Sequence, residues 1–358
     1  MFQSPFYDPE KTYFDNFEYG PFNGFTDGVV LPVASEPRFT FLGQRIQYPF
    51  GIPAGPLLNS KYIQSAFEKG FDVNVYKTVR SAEYPCHPFP NVLSVHVDGA
   101  LTLEKARVPL VADTHYADPI SITNSFGVPS RPRDLWQVDA QKAITAGKNG
   151  QLMIMSFMGT VKEGQTSDEF VADYVEAAHA AYETGARALE VNLSCPNIGN
   201  EGLVCYNAEV TEKVVRGIRA VIGETPLILK VGYYTDDASI QTLMRLAAEY
   251  ADAVSAINTV QATIIDAHGA QALPGPQRVK SGVCGASIKW AGLDMTKRLA
   301  HARAALGTKT EIIGVGGVTT PQDFKEYRDA GADVVMSATG AMWNPYLADE
   351  IKKAFPDA

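Results

Sequence analysis

The segment EVNLSCPNIGNEG, from Glu190 to Gly202, gathers groups suited to a flat polar ring. The amides of Asn192 and Asn197 each donate and accept, which matches the edge of an imide-like ring. Between them stand Ser194 and Cys195. A lone cysteine is more often a small packed apolar side chain. Flanked by N-L-S and P-N at the end of an apolar run, Cys195 is read instead as facing a ligand. A free thiol titrates near about 8.5, so Cys195 serves as a base only where its thiolate is favoured.

Asn192 belongs to a series. The stretches EKGFDVNVYKT, ETGARALEVNLS, AEYADAVSAINT and DAGADVVMSAT share one pattern: a helix end, a turn, a short apolar run, then polar residues. Counted from Gly70, Gly185, Tyr250 and Gly331, the polar residue falls seven or eight places on: Lys77 and Thr78, Asn192, Asn258, Thr339. A single such residue would be read as capping a strand end. Four at one phase point to a shared site.

A second chemistry lies near the C-terminus. IIGVGGVTTPQDF reads as strand, glycines, helix, with Gly316 and Gly317 allowing close backbone approach to a phosphate. Thr320, Pro321 and Asp323 fit the N-cap, N1 and N3 positions of a helix, whose N-terminus favours anions. SATG follows the next apolar run and offers Thr339. SGVCGASIKW, with Gly285, reads as another glycine-bearing turn, before a helix at 293–306. The dinucleotide fingerprint fails, because Thr319 stands at its sixth position and no acidic residue follows about 20 places on. The pattern fits a mononucleotide or a sugar phosphate.

These residues need strands to carry them. Eight candidates stand at 51–57, 73–79, 152–158, 188–194, 226–232, 253–259, 311–317 and 333–339. Continuous apolar runs suit parallel strands buried on both faces. Amphipathic helices fall between them: 168–184 (Phe170, Val171, Tyr174, Val175, Ala178, Tyr182 on one face), 208–222 (Val210, Val214, Ile218, Val221) and 238–250 (Ile240, Leu243, Leu246, Ala247, Tyr250). Eight strands predict an α/β fold, a (β/α)8 TIM barrel, with a doubly wound open sheet as the runner-up. The polar residues at strand C-terminal ends would then meet on the active face. Stretches 80–150 and 260–293, after strands 2 and 6, are too long for simple loops, and long excursions on a barrel usually carry function. Residues 1–38 are expected to form an N-terminal aromatic arm, packed on the barrel or on a partner subunit, and 39–358 the barrel.

The 358 residues carry a formal charge of −9, against nucleic acid and anionic membrane surfaces. No apolar run reaches 18 residues, and the N-terminus has no signal-peptide pattern. Four cysteines without a C-x-x-C pair argue against metal ligation and suit a reducing, cytoplasmic compartment.

With these residues in view, NLSCPN resembles the signature of cytosolic (class 1) dihydroorotate dehydrogenases and of the pyrimidine-reducing domain of dihydropyrimidine dehydrogenase. The resemblance covers about residues 40–350. Membrane-linked members carry Ser where this chain has Cys195. The resemblance implies FMN as cofactor, dihydroorotate and orotate as ligands, and Cys195 as the base that takes the C5 proton. Lys77 is similar to the lysine that reaches flavin and substrate, and Lys230 to the lysine beside the flavin N1/C2=O edge. Asn124, in ITNSFGVP, resembles the asparagine of the loop that holds the substrate carboxylate, with Phe126, Gly127 and Val128 around its turn. Asn192, Asn197, Asn258 and Thr259 resemble the remaining ring-binding groups. Ala54, Gly55, Thr78, Cys284, Gly285, Gly316, Gly317, Ala338 and Thr339 match flavin-contacting positions. Ser130 stands where an Asn is common, and the arm has no counterpart in the cytosolic class. A homodimer is expected. Fumarate, NAD through an iron–sulfur subunit, and quinone stay open as electron acceptors. Reduction of uracil or thymine is the alternative reaction; a non-catalytic flavin- or phosphate-binding barrel is the alternative of another class.

Overall fold

The computed structural model describes residues 3–194, 204–276 and 278–357. The eight apolar runs pair in parallel and close on themselves, as a barrel and not an open sheet. They are β1 Phe50–Ile52, β2 Val73–Val79, β3 Leu152–Phe157, β4 Leu189–Asn192, β5 Leu227–Val231, β6 Ala253–Ala256, β7 Glu311–Val315 and β8 Val334–Met336, with β8 pairing back to β1. A helix follows each strand: Ser60–Glu68, Arg133–Ala146, Ser167–Tyr182, Ala208–Ile222, Asp237–Tyr250, Lys289–Leu306, Pro321–Asp329 and, after β8, Thr339–Trp343 with Leu347–Ala354.

One face of each strand packs inside the barrel. Val73, Val75, Leu152, Ile154, Ile228, Ala253, Ile313, Val334 and Met336 form a core of their own, separate from the larger core under the helices. Its lower end is stopped by an antiparallel hairpin, Phe39–Phe41 with Gln44–Ile46, which adds Phe41, Leu42 and Ile46. The turn places Leu42 at φ 50° and Gly43 at φ 69°. A left-handed conformation is uncommon for a bulky side chain. The Leu42 N–H donates to Glu311 Oε2 at 2.6 Å, at the start of β7. Burial lifts that carboxyl to about 7.

Several strands stop short of their expected ends. β1 ends at Ile52 because Pro53 has no N–H for the ladder. β6 ends at Ala256 and β8 at Met336, so Asn258 and Thr339 lie just past their strands, Thr339 opening a helix. The helix from Ser167 buries Tyr174, Ala177, Ala178 and Ala181, while Tyr182 is exposed. The buried stripe is thus narrower and more alanine-rich than its large apolar residues suggest. SGVCGASIKW is not a turn: Lys280–Gly285 is a strand, and the helix after it starts at Lys289.

That strand belongs to the main departure from a plain barrel. The stretches after β2 and β6 are one structure: Val260–Ile265, Lys280–Gly285, Ser121–Asn124, Val92–Val95 and Leu110–Asp113 pair in that order and close through Ile264 and Leu110. Asn124 therefore sits on a strand, opposite Val92 and Gly282.

The N-terminal arm lies on the barrel. Phe6, Tyr7, Tyr13 and Phe25 join its outer core, and Phe6 stacks on Phe25 with centroids 3.9 Å apart. The amides of Gln3 and Phe6 donate to the carbonyls of Trp343 and Met342.

Phe41 is fully buried, so Phe41→Ala should cost about 3–5 kcal/mol in denaturant unfolding. A loss under about 1 kcal/mol would show that the hairpin does not stop the barrel as described.

Candidate active site

Strand register decides which side chains meet. Asn192, Lys230 and Ser255 are successive partners across β4, β5 and β6, and Glu190 is opposite Ser156 of β3. Partners in a parallel ladder point to one face. These residues thus form a polar layer above the apolar core of the barrel. Lys230 Nζ donates to Ser255 Oγ at 3.3 Å, and Ser156 Oγ to Glu190 Oε1 at 3.0 Å. Thr78 Oγ1 lies 3.1 Å from Ser156 Oγ. The ladder of β2 with β3 is irregular between Tyr76 and Val79, which lets the adjacent Lys77 and Thr78 both reach this layer.

Lys230 and Glu190 are both buried. Burial lowers the Lys230 ammonium to about 8, opposed by the Glu190 charge. Burial raises the Glu190 carboxyl, opposed by Lys230 and by the Ser156 hydrogen bond. Glu190 Oε2 has no partner among the described residues. Asn192 Oδ1 accepts from the Ser194 amide at 3.1 Å, and Asn258 Nδ2 donates to the Ser194 carbonyl. Two candidate residues thus hold the start of the segment that carries the cysteine. Cys195 and Asn197 themselves lie outside the described residues.

The second insertion and β2 brace the Asn124–Val128 loop from behind. Arg278 is 2% exposed and donates to the carbonyls of Pro88, Pro90, Pro274 and Ser125 and to Ser125 Oγ. Arg80 is 1% exposed and donates to the Gly127 and Val128 carbonyls, the latter at 2.9 Å. The Phe126 carbonyl accepts from the His87 amide at 3.0 Å. With the carbonyls taken, the amides of Phe126, Gly127 and Val128 donate to no group among the described residues. Gly127 (φ 76°) and Val128 (φ 52°) are both left-handed, and with Phe126 they line the cavity that Lys77 also lines. A Cβ on Gly127 would meet His87 Nε2 at 2.5 Å. Ser130 Oγ accepts from the Arg80 amide at 3.1 Å, so its hydroxyl serves the brace and not the cavity.

At the other end, Thr320, Pro321 and Asp323 take their N-cap, N1 and N3 positions in a complete capping box. Gly317 is left-handed at φ 68°, and a Cβ there would come within 2.7 Å of the Lys289 amide at a helix start. A Cβ on Gly285 would run into the Ile120 carbonyl. The amides of Gly317, Thr339 and Gly340 donate to no described group. Cys284 Sγ accepts from Asn124 Nδ2 and Thr339 Oγ1, both at 3.4 Å, joining the two ends of the site.

Two adjoining cavities result. One is lined by Lys77, Thr78, Gly127, Val128, Glu190 and Asn192; the other by Cys284, Ala338, Thr339, Tyr7, Val92 and Met342. Ala54, Gly55, Asn124, Phe126, Lys230, Asn258 and Thr259 line both. Thr259 Oγ1 is buried with no described partner. Gly285, Gly316 and Gly317 line neither cavity; Gly285 and Gly316 follow the lining residues Cys284 and Val315 in the chain. Sequence reasoning missed Glu190, Arg80, Arg278 and Tyr7. Glu190, two residues before Asn192 on the same strand face, could have been found by alternation.

A model of the dihydroorotate dehydrogenase family matches residues 107–358. A dihydroorotate dehydrogenase of Dictyostelium discoideum is 35% identical over an alignment that covers 96% of this chain and 95% of its own length. The catalytic subunit of an NAD(+)-type dihydroorotate dehydrogenase B from Alkaliphilus oremlandii is 31% identical over 52% of the chain and 59% of its own. The corresponding subunit from Thermodesulfovibrio yellowstonii is 29% identical over 66% and 72%.

Arg278→Met should loosen the braced loop while the barrel stays closed. Losing one charge-assisted hydrogen bond, about 1.5 kcal/mol or more, predicts amide exchange at Ser125 and Ser130 faster by roughly tenfold or more. Amides of β3–β5 should keep their rates. Unchanged exchange at Ser125 would show that Arg278 does not hold the loop.

Proposed function

The chain belongs to the dihydroorotate dehydrogenase family, and we propose that it oxidises dihydroorotate to orotate in pyrimidine biosynthesis, with FMN as its cofactor. The observation that carries this reading is the pair of cavities. One ends in a cation and three unpartnered amides, fit for a carboxylate. Its neighbour is walled by Gly55, Ala338 and the helix start at Thr339, and Gly285 and Gly316 adjoin its lining residues Cys284 and Val315, a setting fit for a phosphate. A neutral pyrimidine would need no carboxylate site, which disfavours uracil or thymine as substrate. No helix among the described residues is long and apolar enough to cross a membrane.

The cofactor cavity suits FMN on the residues present. Gly317 and Gly285 leave no room for side chains, the amides of Gly317, Thr339 and Gly340 are available to a phosphate, and Thr259 Oγ1 waits for a partner. When bound, FMN supplies the hydride acceptor.

The chain's own residues do the rest. Lys77 and the amides of Phe126, Gly127 and Val128 hold the carboxylate, giving the ring one orientation. Asn124 joins them at the carboxylate, and Asn192, Asn197 and Asn258 pair with the ring amide edges. Cys195 Sγ takes the C5 proton; the electrons of that bond form the C5=C6 double bond as the C6 hydrogen leaves with its pair. Lys230, lowered to about 8 by burial, is poised to regain full charge beside an anionic group. In that role it offsets the negative charge that reduction places in the cofactor cavity.

Orotate should perturb the flavin absorption of the purified protein, and uracil should bind far more weakly. Two lost hydrogen bonds to a charge, about 1.5–3 kcal/mol each, correspond to roughly 10²- to 10⁴-fold. Asn124→Ala should weaken orotate strongly and uracil little. Equal affinities in the wild type would overturn the dihydroorotate reading and promote the dihydropyrimidine one.

Cys195→Ala should retain flavin but slow its anaerobic reduction by dihydroorotate by about 10²-fold or more, the range of a lost general base. Cys195→Ser should keep part of the rate and need higher pH. Stopped-flow traces unchanged in Cys195→Ala would remove Cys195 from this role.

A further inference from the structure

We propose that His87 is a positioning residue for the substrate: its imidazole, with the proton on Nε2, holds the Asn124–Val128 loop in the form that takes a carboxylate. The inference rests on the dihydroorotate reading above. Residues 84–91 back the loop along its length. Tyr84 and Ser130 exchange amide-to-carbonyl hydrogen bonds at 2.9 and 3.0 Å. The His87 amide donates to the Phe126 carbonyl at 3.0 Å, and the Ser125 amide to the Asn91 carbonyl at 2.8 Å. The His87 ring then lies against Gly127: a Cβ there would come within 2.5 Å of its Nε2 and 2.6 Å of its Cδ2. The ring occupies the space that a side chain at 127 would need. It adjoins a residue of the substrate cavity without lining that cavity itself.

The tautomer follows from the hydrogen bonds. Ser125 is fully buried, and its Oγ accepts from Arg278 Nε at 3.0 Å and lies 3.3 Å from His87 Nδ1. The described residues offer the Ser125 hydroxyl proton no other acceptor. Ser125 therefore donates to Nδ1, and the ring's own proton sits on Nε2. A second proton would go to Nδ1. Ser125 Oγ would then face two donors, His87 and Arg278, and its own proton would have no acceptor among the described residues. Those residues bring two charged groups to bear on the ring, Arg278 and Arg80, and both are cations. Burial first, then these guanidiniums, hold the imidazole below its ordinary range. Cys86, next in the chain, is neutral, because burial lifts its thiol to about 11. Arg278 and Arg80 also donate to the carbonyls of Ser125, Gly127 and Val128. A charge on His87 would repel the same groups that brace the loop.

The experiment titrates orotate and uracil into the holoenzyme, following the flavin band, for wild type, His87→Phe and His87→Asn. His87→Phe keeps a ring and loses the acceptor. His87→Asn keeps an acceptor in place of Nδ1 and cannot titrate. Loss of one hydrogen bond from the brace predicts orotate binding weaker by roughly 2- to 12-fold in His87→Phe, with uracil binding unchanged. The half-saturating dihydroorotate concentration should rise by the same factor, with a smaller change in the limiting rate of flavin reduction. The loop-holding form is the neutral one, and the lowered pKa puts its loss below about 6.5. Wild-type orotate affinity should therefore be full above that pH and fall below it, by up to about tenfold per pH unit. His87→Asn should lack this acid limb. The chain has six histidines, so the ring ¹⁵N signals that vanish in His87→Phe identify His87 directly, and at neutral pH they should show the proton on Nε2. Orotate and uracil affinities in His87→Phe equal to wild type would overturn the proposal. So would identical pH profiles in wild type and His87→Asn, or a proton on Nδ1 at neutral pH. A wild type that binds orotate no better than uracil would overturn the dihydroorotate reading as well.

Discussion

The arrangement turns on withdrawing cations from water at one end of the barrel in a chain whose net charge is −9. Lys77, Arg80, Lys230 and Arg278 are all buried there. A buried charge is tolerated only where dipoles or opposite charges replace its hydration. For Arg278 the replacement is main-chain carbonyl: prolines and serine of both insertions converge on one guanidinium. The insertions thus solvate the cation, and the cation fixes the insertions to each other. The carbonyls of the 125–128 loop turn back toward arginine and backbone partners, while the amides of Phe126, Gly127 and Val128 donate to no group among the described residues.

Much of the fold was legible because it is local and periodic. The helix-end, turn and strand repeat marks four of the strands, the other apolar runs complete the eight, and the repeat's count picks out Lys77, Asn192, Asn258 and Thr339 at strand C-terminal ends. Thr320, Pro321 and Asp323 lie within four residues of one another, so their capping pattern could be read directly. Strand ends were less legible. A proline stops β1 at once, whereas Asn258 continues the apolar phase of β6 past the point where its ladder stops.

The rest depends on pairings across long separations. Ser121–Asn124 meets Lys280–Gly285 across some 160 positions, and nothing near either strand announces its partner. Arg80 and Arg278 carry no motif; an arginine in a loop ordinarily faces water. Tyr7 is one of several aromatics in the arm, and composition does not separate it from Phe14 or Tyr19, which are exposed. Glu190 was within reach of simple alternation with Asn192, but a buried carboxylate is so uncommon that burial must be seen before the alternation is trusted.

The contact of Gln3 and Phe6 with Trp343 and Met342 bears on how the protein is made. These contacts join residues some 340 positions apart. During translation the arm's backbone bonds to Met342 and Trp343 cannot form until the helix after β8 has left the ribosome. The barrel has the same property, since β1 completes its ladder only with β8. Loop closure over almost the whole chain raises contact order and slows folding. Until that helix emerges the arm has only its earlier partners, such as Tyr62 and Phe126, so its seating is completed together with the barrel.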